Sequence, residues 1–355
     1  LRGLAAGGNK QTVTQIIDGW LPEARHLLQI AYSLDDAAIF TPELLARVLE
    51  KSIGAKHIRA IVACMSSAVS NFSAADAREP VRLFTAGIAA LTELGSSAWI
   101  FELWFRPKIK EFLSGLDETH VDSILTNLMY LDEIDYHAEE ILYIIAREHP
   151  VRVLKFFVNR LRAPSEKASS KYEAVPFELH KVNEALAQHP GECVAAVRPL
   201  FDGDYAAFLY GGARLLKNIF PAFPPEFEQE LASLVQSGNS TDIEFVLAVL
   251  RSYDGASALS SLCLEIVDHI PVDDPLLGEV AIVLESTGVV TGEFGFAEAM
   301  EKKRMEASAW LGSKSDRVKR FAESYSASLD RRIIDERARA TEGIALRKAK
   351  YGEYD

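Results

Sequence analysis

Apolar residues recur along the chain at i, i+3 or i+4 and i+7, the spacing that gathers them on one face of an α-helix, and the alternation of a half-buried strand is nearly absent. Val13, Ile16, Ile17 and Trp20 open the series. Leu44, Leu45, Val48 and Leu49 form a second stripe, followed by Ile58, Ile61, Val62, Met65 and Val69, and by Val121, Ile124, Leu125 and Leu128. Farther on, Tyr205, Leu209, Ala213 and Leu216 are expected to share a face, as are Leu259, Leu262, Cys263, Ile266, Val267 and Ile270, and then Leu276, Leu277, Val280, Ala281 and Leu284. The pattern predicts roughly eighteen helices of about 9 to 18 residues joined by short connections, with a longer one at the end. Gly288-Val289-Val290-Thr291-Gly292 is the one β-like stretch, too short and too closely flanked by glycine to build a sheet.

Prolines punctuate the file of helices. Pro150 follows a helix expected to end near Glu148 and starts the next, where its missing N–H costs nothing and its fixed φ suits a first turn. Pro190 repeats the device: Ala146-Arg147-Glu148-His149-Pro150 and Leu186-Ala187-Gln188-His189-Pro190 are offset by 40 residues. That is the period of HEAT-type helical hairpins, with a looser third copy near Ser252-Tyr253-Asp254-Gly255. A hairpin of that size cannot bury its stripe alone, whereas hairpins stacked in order make one continuous core. Ile141, Leu142, Tyr143, Ile144 and Ile145, then Val153, Leu154, Phe156, Phe157 and Val158, are apolar nearly all round and suit inner helices covered on two sides. The small, polar segment 163–174 reads as an exposed loop and the best hinge or nick site. The expectation is an all-α, irregular HEAT/ARM-like right-handed superhelical solenoid, with repeats over 1–162 continuing through 176–312 and a long C-terminal helix and tail over 313–355.

The last helix stands apart. From 316 to about 350 there is no proline and a single glycine, Gly343, so one helix about 50 Å long is predicted at 1.5 Å rise per residue. Val318, Phe321, Ala322, Tyr325 and Leu329 give its first half a docking stripe, while Arg331, Arg332, Asp335, Glu336, Arg337 and Arg339 charge its middle. Residues 301–355 hold 14 basic and 10 acidic side chains, against 24 and 41 in residues 1–300, a tail of +4 on a body of −17. Such asymmetry permits attraction to an acidic body, a partner or nucleic acid.

Gly292-Glu293-Phe294-Gly295-Phe296, Lys302-Lys303, Trp310-Leu311, Arg317-Val318, Phe321-Ala322-Glu323, Ser328-Leu329-Asp330-Arg331-Arg332-Ile333, Leu346-Arg347-Lys348 and Tyr351-Gly352-Glu353 together resemble the closing segment of bacterial HEAT-like helical modules. Such modules often sit behind a nucleotide-hydrolysing or effector domain in defence-type proteins. The resemblance covers about the last sixty residues and rests on helix-packing positions, so it implies a sensor or scaffold region and carries over no active site. The chain has no GxxxxGK[ST], which places any phosphate-binding engine elsewhere.

Composition narrows the functional classes. Of 355 residues 48% are hydrophobic and 25% charged, the balance of a globular protein. A net charge of −13 repels a phosphate backbone over most of the surface, so a nucleic-acid partner is not expected. Cys64, Cys193 and Cys263 lie far apart, forming neither a zinc knuckle nor a disulfide framework, and the expected home is a reducing cytosol. No apolar run approaches the roughly 18 to 20 residues that span a bilayer, and Leu1 to Lys10 lack the zones of a signal peptide. The start at Leu1 rather than methionine is expected of a processed or excised piece of something larger.

Candidate chemistry is sparse. The eight histidines form neither HExxH nor HxH, so no metal and no cofactor are expected. Asp132, Glu133, Asp135, His137, Glu139 and Glu140 make the densest carboxylate and imidazole cluster, which fits a helix start capped by Asp135. Asp202-Gly203-Asp204 reads as a turn and N-cap before Tyr205, lacking the further oxygen ligands of a calcium loop. Gly7-Gly8-Asn9-Lys10 and Gly211-Gly212 lack the strand-to-helix setting of a phosphate loop, and Cys193 reads as a buried small hydrophobe. The densest aromatic cluster is Trp99, Phe101, Trp104 and Phe105, followed by Arg106, and these residue types anchor interfaces. A helix apolar all round would also put them inside a solenoid. The sequence therefore points to a protein-interaction scaffold or sensor without catalytic activity, its protein partner held at Trp99, Trp104, Phe105 and Arg106 and at Arg331, Arg332, Arg337 and Arg339. The rival is a HEAT-like nucleic-acid-binding protein or DNA glycosylase-like enzyme, whose basic groove would come from Arg331, Arg332, Arg337, Arg339, Arg347 and Lys348.

Overall fold

The computed structural model describes residues 10–35, 39–163, 172–253 and 257–352. Among them every regular element is helical. Gly7, Gly8 and Asn9, most of the 163–174 loop, and Asp254 and Gly255 of the loose third repeat lie outside the described residues. The chain divides into two compact units, Leu1–Ala196 and Val197–Asp355.

The first unit holds α1 (Lys10–Trp20), α2 (Ala24–Ser33), α3 (Pro42–Gly54), α4 (Ile58–Ser70), α5 (Arg78–Glu93), α6 (Trp99–Leu103), α7 (Ile109–Ser114), α8 (Glu118–Leu128), α9 (Tyr136–Glu148), α10 (Pro150–Arg162) and α11 (Val182–Leu186). Neighbours in sequence pack as hairpins, and alternate helices also pack: α3 on α5, α5 on α8 and α8 on α10, with α2 on α4, α4 on α6 and α7, and α9 on α6, α7 and α11. Each stripe is thus covered by its own hairpin partner and by the next hairpin. The predicted inner helices α9 and α10 bury Ile141, Leu142, Ile144, Ile145, Val153, Leu154, Phe156, Phe157 and Val158, while Tyr143 is half-buried.

Helix ends follow local chemistry. The side chains of Thr41, Asp117 and Asp135 accept hydrogen bonds from the N–H groups of Leu44, His120 and Ala138 at 3.2, 3.0 and 2.9 Å, satisfying first-turn donors. Carbonyls left open at helix ends are met from the following hairpin: Lys108 Nζ donates to the Phe72 carbonyl at 2.6 Å, and His149 Nε2 lies 3.1 Å from that of Leu116. These ties recur about one hairpin apart in sequence.

α12 (Pro190–Gly203) carries the division between the units. The second unit continues with α13 (Tyr205–Ala207), a π turn over Phe208–Gly212, α14 (Ala213–Ile219), α15 (Pro225–Gln236), α16 (Ser240–Leu250), α17 (Ser260–His269), α18 (Leu276–Glu285), α19 (Gly295–Trp310) and α20 (Asp316–Tyr351). α14 packs on α16 and α16 on α18, α15 packs on α17, and α20 lies along α19 and α17. The predicted long helix is present from Asp316, capped by Ser315, to Tyr351, where Gly352 turns left-handed at φ 66°. Val318, Phe321, Ala322, Tyr325 and Leu329 are all buried beneath it, as its stripe required.

Two expectations are corrected here. The face of Tyr205, Leu209, Ala213 and Leu216 is broken: Tyr205 and Leu209 are exposed, and Phe208, Gly211 and Gly212 go inward with Ala213 and Leu216. The π turn inserts one extra residue and rotates everything before it by about a quarter turn relative to a regular helix. Several helices, α6, α7 and α11 among them, have only five or six residues, shorter than predicted. Pro107 lacks an N–H and disfavours helical geometry at Arg106, which separates α6 from α7.

Candidate functional site

That break after α6 positions the aromatic cluster. In one turn of helix, Trp99, Ile100 and Leu103 point into the core and Phe101 outward, and the bend beyond Leu103 leaves Phe105 outside as well. Trp99 is therefore a core residue, not a partner contact. It is 0% exposed, its Nε1–H donates to Asn127 Oδ1 at 2.7 Å, and Asn127 Nδ2 in turn donates to Thr92 Oγ1 and the Ser96 carbonyl, both at 3.0 Å. A buried indole needs such a partner, and here the whole chain of donors is satisfied.

Phe101 is 70% exposed, Phe105 55% and Tyr136 53%, with the half-buried Trp104 among them. Trp104 packs edge-on against Phe105 and Tyr136, each at 5.8 Å between ring centroids, and against His137 at 4.8 Å; Phe101 meets His137 at 5.4 Å. α9 supplies Tyr136 and His137 because α6 packs on it, and Asp135, which caps α9, also sits 3.1 Å from His137 Nδ1. Cations bracket the rings: the Arg106 guanidinium lies 5.6 Å from the Phe105 centroid and Lys181 Nζ 5.6 Å from that of Tyr136.

Arg106 is a brace rather than a free charge. It pairs with Asp35 at 3.1 Å and Glu102 at 3.3 Å, which pins it beneath Phe105. Lys181 pairs with Glu140, and burial pushes the Glu140 carboxyl up, but the hydrogen bonds from Lys181 and Tyr136 outweigh it and hold the group below the usual carboxylate range. Its neighbour Glu139 is buried and accepts from the N–H groups of His180 and Lys181 at 2.6 and 2.7 Å, closing the approach to α11. The acidic cluster is thereby used for helix caps and segment anchoring. Tyr136 and His137 were not legible as partners of Trp104, since nothing in the sequence sets α6 beside α9.

The second group of expected contacts lies on α20. Arg332 pairs with Glu285 at 2.6 Å, Arg337 with Glu301 at 2.5 Å and Arg339 with Glu336 at 2.6 Å, and Arg347 pairs with Glu293. The positive tail thus meets the acidic helices of its own unit. Arg331 is exposed and lines a cleft instead.

The remaining candidates fall into packing roles. Asp204 accepts from Ala207 N–H at 3.1 Å, the expected N-cap, and Asp202 pairs with Arg198. Cys64, Cys193 and Cys263 are buried and free, and burial pushes each thiol up to about 12. Among the described residues no three His, Cys, Asp or Glu side chains group as a metal site, and no helix is long and apolar enough to cross a membrane. No protein-family model matches the chain, and no curated protein matches it.

Proposed function

We propose that the chain is a HEAT/ARM-like helical solenoid module that serves as a non-catalytic protein-interaction scaffold or sensor, with the aromatic patch around Trp104 as its partner face. One observation carries this reading: Phe101, Phe105 and Tyr136 remain more than half exposed within one cluster, Phe105, Tyr136 and His137 packed on Trp104 and Phe101 on His137. Contiguous exposed aromatics cost solubility in a monomer and supply rigid contact area at an interface. Alternate-helix packing within each unit supports the solenoid reading. The resemblance of the last sixty residues to bacterial defence-type modules supports a sensor within a larger assembly. Against the nucleic-acid rival, Arg332, Arg337, Arg339 and Arg347 each have a carboxylate partner, which removes most of the groove it requires.

The test is affinity capture from the native cell extract with the intact chain and with Phe101→Ser/Phe105→Ser, both exposed positions, identifying proteins and nucleic acids alike. A stoichiometric protein retained by the parent and lost by the variant at unchanged melting temperature is the expected result. Trp104→Ala should lose the same protein. Salt-sensitive nucleic acid with no protein partner would overturn the reading in favour of the rival.

A further inference from the structure

Of the seven arginines of α20, Arg332, Arg337, Arg339 and Arg347 are paired with carboxylates. The three others, Arg317, Arg320 and Arg331, have no carboxylate partner among the described residues, and all three line one cleft of about 420 Å³ between α20 and the α17–α18 region. Arg317 uses one N–H on the Asp268 carbonyl, at 2.6 Å, and Arg320 and Arg331 are exposed. With Ser324 and Ser328 they stand at i, i+3, i+7, i+11 and i+14, one straight edge of the helix, which spreads the charges over about 21 Å. Like charges at i and i+3 weaken a helix, so stability alone does not account for Arg317 beside Arg320.

The opposite wall is apolar. The exposed Val272 and the half-covered Leu277 and Ala281 line it, above the buried Val267 and Phe321. In the α18 stripe Val280 and Leu284 are buried, whereas Leu277 and Ala281 remain only half covered. The surroundings are strongly acidic, since residues 197–300 contain 4 basic and 16 acidic side chains. A row of unpaired cations above an uncovered apolar strip in such a setting is complementary to a ligand that is itself apolar on one side and anionic on the other.

We propose that this cleft docks an acidic amphipathic segment of a protein partner, its apolar side chains against Val272, Leu277 and Ala281 and its carboxylates on Arg320 and Arg331. The spread of the arginines favours a peptide with several carboxylates over a single phosphate, on which charges some 16 Å apart along the helix cannot converge. The acidic surroundings disfavour a polyanion surface such as nucleic acid or an anionic membrane. This site is separate from the patch around Trp104 and does not depend on it.

The probe is a phage-displayed library of peptides of about 15 residues with leucine at helical spacing and Glu, Gln or Lys between, panned on the full chain. Enriched peptides are titrated by fluorescence anisotropy against the parent, Arg320→Glu/Arg331→Glu and Phe101→Ser/Phe105→Ser. Expected are Glu-rich peptides whose affinity falls about tenfold or more in the arginine variant, recovers when their Glu residues become Lys, and is unchanged in the phenylalanine variant. Both arginines are exposed, so melting should not shift, and an Ala281→Trp variant that fills the apolar side of the cleft should block binding independently. Selection indifferent to Glu, equal binding to the arginine variant, or arginine-dependent binding of inorganic phosphate or of phosphatidylcholine/phosphatidylglycerol vesicles with no peptide selected would each overturn the proposal.

Discussion

The Arg160 guanidinium is buried at the end of α10 and donates to five main-chain carbonyls, those of Leu128, Leu131 and Asp132 at and just past the end of α8 and those of Glu173 and Ala174, at 2.7 to 3.4 Å. Tyr172 lies over it with its ring centroid 4.8 Å away and returns a hydrogen bond to the Arg160 carbonyl. Burial pulls the guanidinium below its ordinary value, with Tyr172, Asp132 and Glu173 opposing. One side chain therefore ties together two chain segments whose own N–H groups reach only the Leu128 and Asp132 carbonyls, from Leu131 and Glu173, and its planar fork of five donors is what makes this possible. Arg160→Met keeps most of the volume but strands the carbonyls of Leu131, Glu173 and Ala174, and should cost about 3 kcal/mol or more in urea unfolding. Arg160→Lys should recover only part of that, because one ammonium cannot reach five acceptors. A loss below about 1 kcal/mol for Arg160→Met would mean that the carbonyls find water instead.

Between elements, close approach is set by small residues. At Gly87 of α5 an added Cβ would lie 2.5 Å from Met65 Cγ and 2.7 Å from its sulfur on α4, well inside van der Waals contact. Gly87→Ala should therefore destabilise the first unit by about 1–3 kcal/mol despite the better helix propensity of alanine, and Met65→Ala in the same chain should recover part of that loss. Thermal or urea unfolding of the four-member cycle measures the coupling, and additive losses would show that the helices simply move apart. The π turn at Phe208–Gly212 follows the same logic. A Cβ on Gly212 would meet Phe208, Val197 and Leu200 at 3.1 to 3.4 Å, so the wider turn settles there because the backbone is packed closely against its neighbours.

For the molecule as a whole, thiol chemistry reports integrity. Cys64 and Cys193 belong to the first unit and Cys263 to the second, all buried, with thiols pushed up to about 12. At pH 8 only about one thiol in ten thousand is then ionised, so the native chain should show no fast reaction with a disulfide reagent. Three thiols should appear on unfolding. The order in which they appear along a urea series distinguishes the units: Cys263 labelled apart from Cys64 and Cys193 means separate unfolding, and simultaneous labelling means one transition. Immediate labelling of any cysteine in buffer would show that its core is open.

The part of the structure legible in the residues alone is the part that depends on neighbours a turn away. Helical periodicity, the Pro150 and Pro190 junctions, the caps at Asp135 and Asp204 and the length of the final helix all arise from interactions within about four residues. Packing between distant helices set the rest. Trp99 and Phe101, two residues apart and equally apolar, part company because α6 is one turn long and Asn127, 28 residues away, offers Trp99 a hydrogen bond. Tyr136 and His137 join Trp104 through the packing of α6 on α9. Arg332 and Arg331 are adjacent, yet Glu285 neutralises the first and the second edges a cleft, because a 100° step around a helix turns consecutive side chains toward different neighbours. Local torsions write the helices into the sequence, and burial and pairing across dozens of residues assign each side chain its role once the helices have packed.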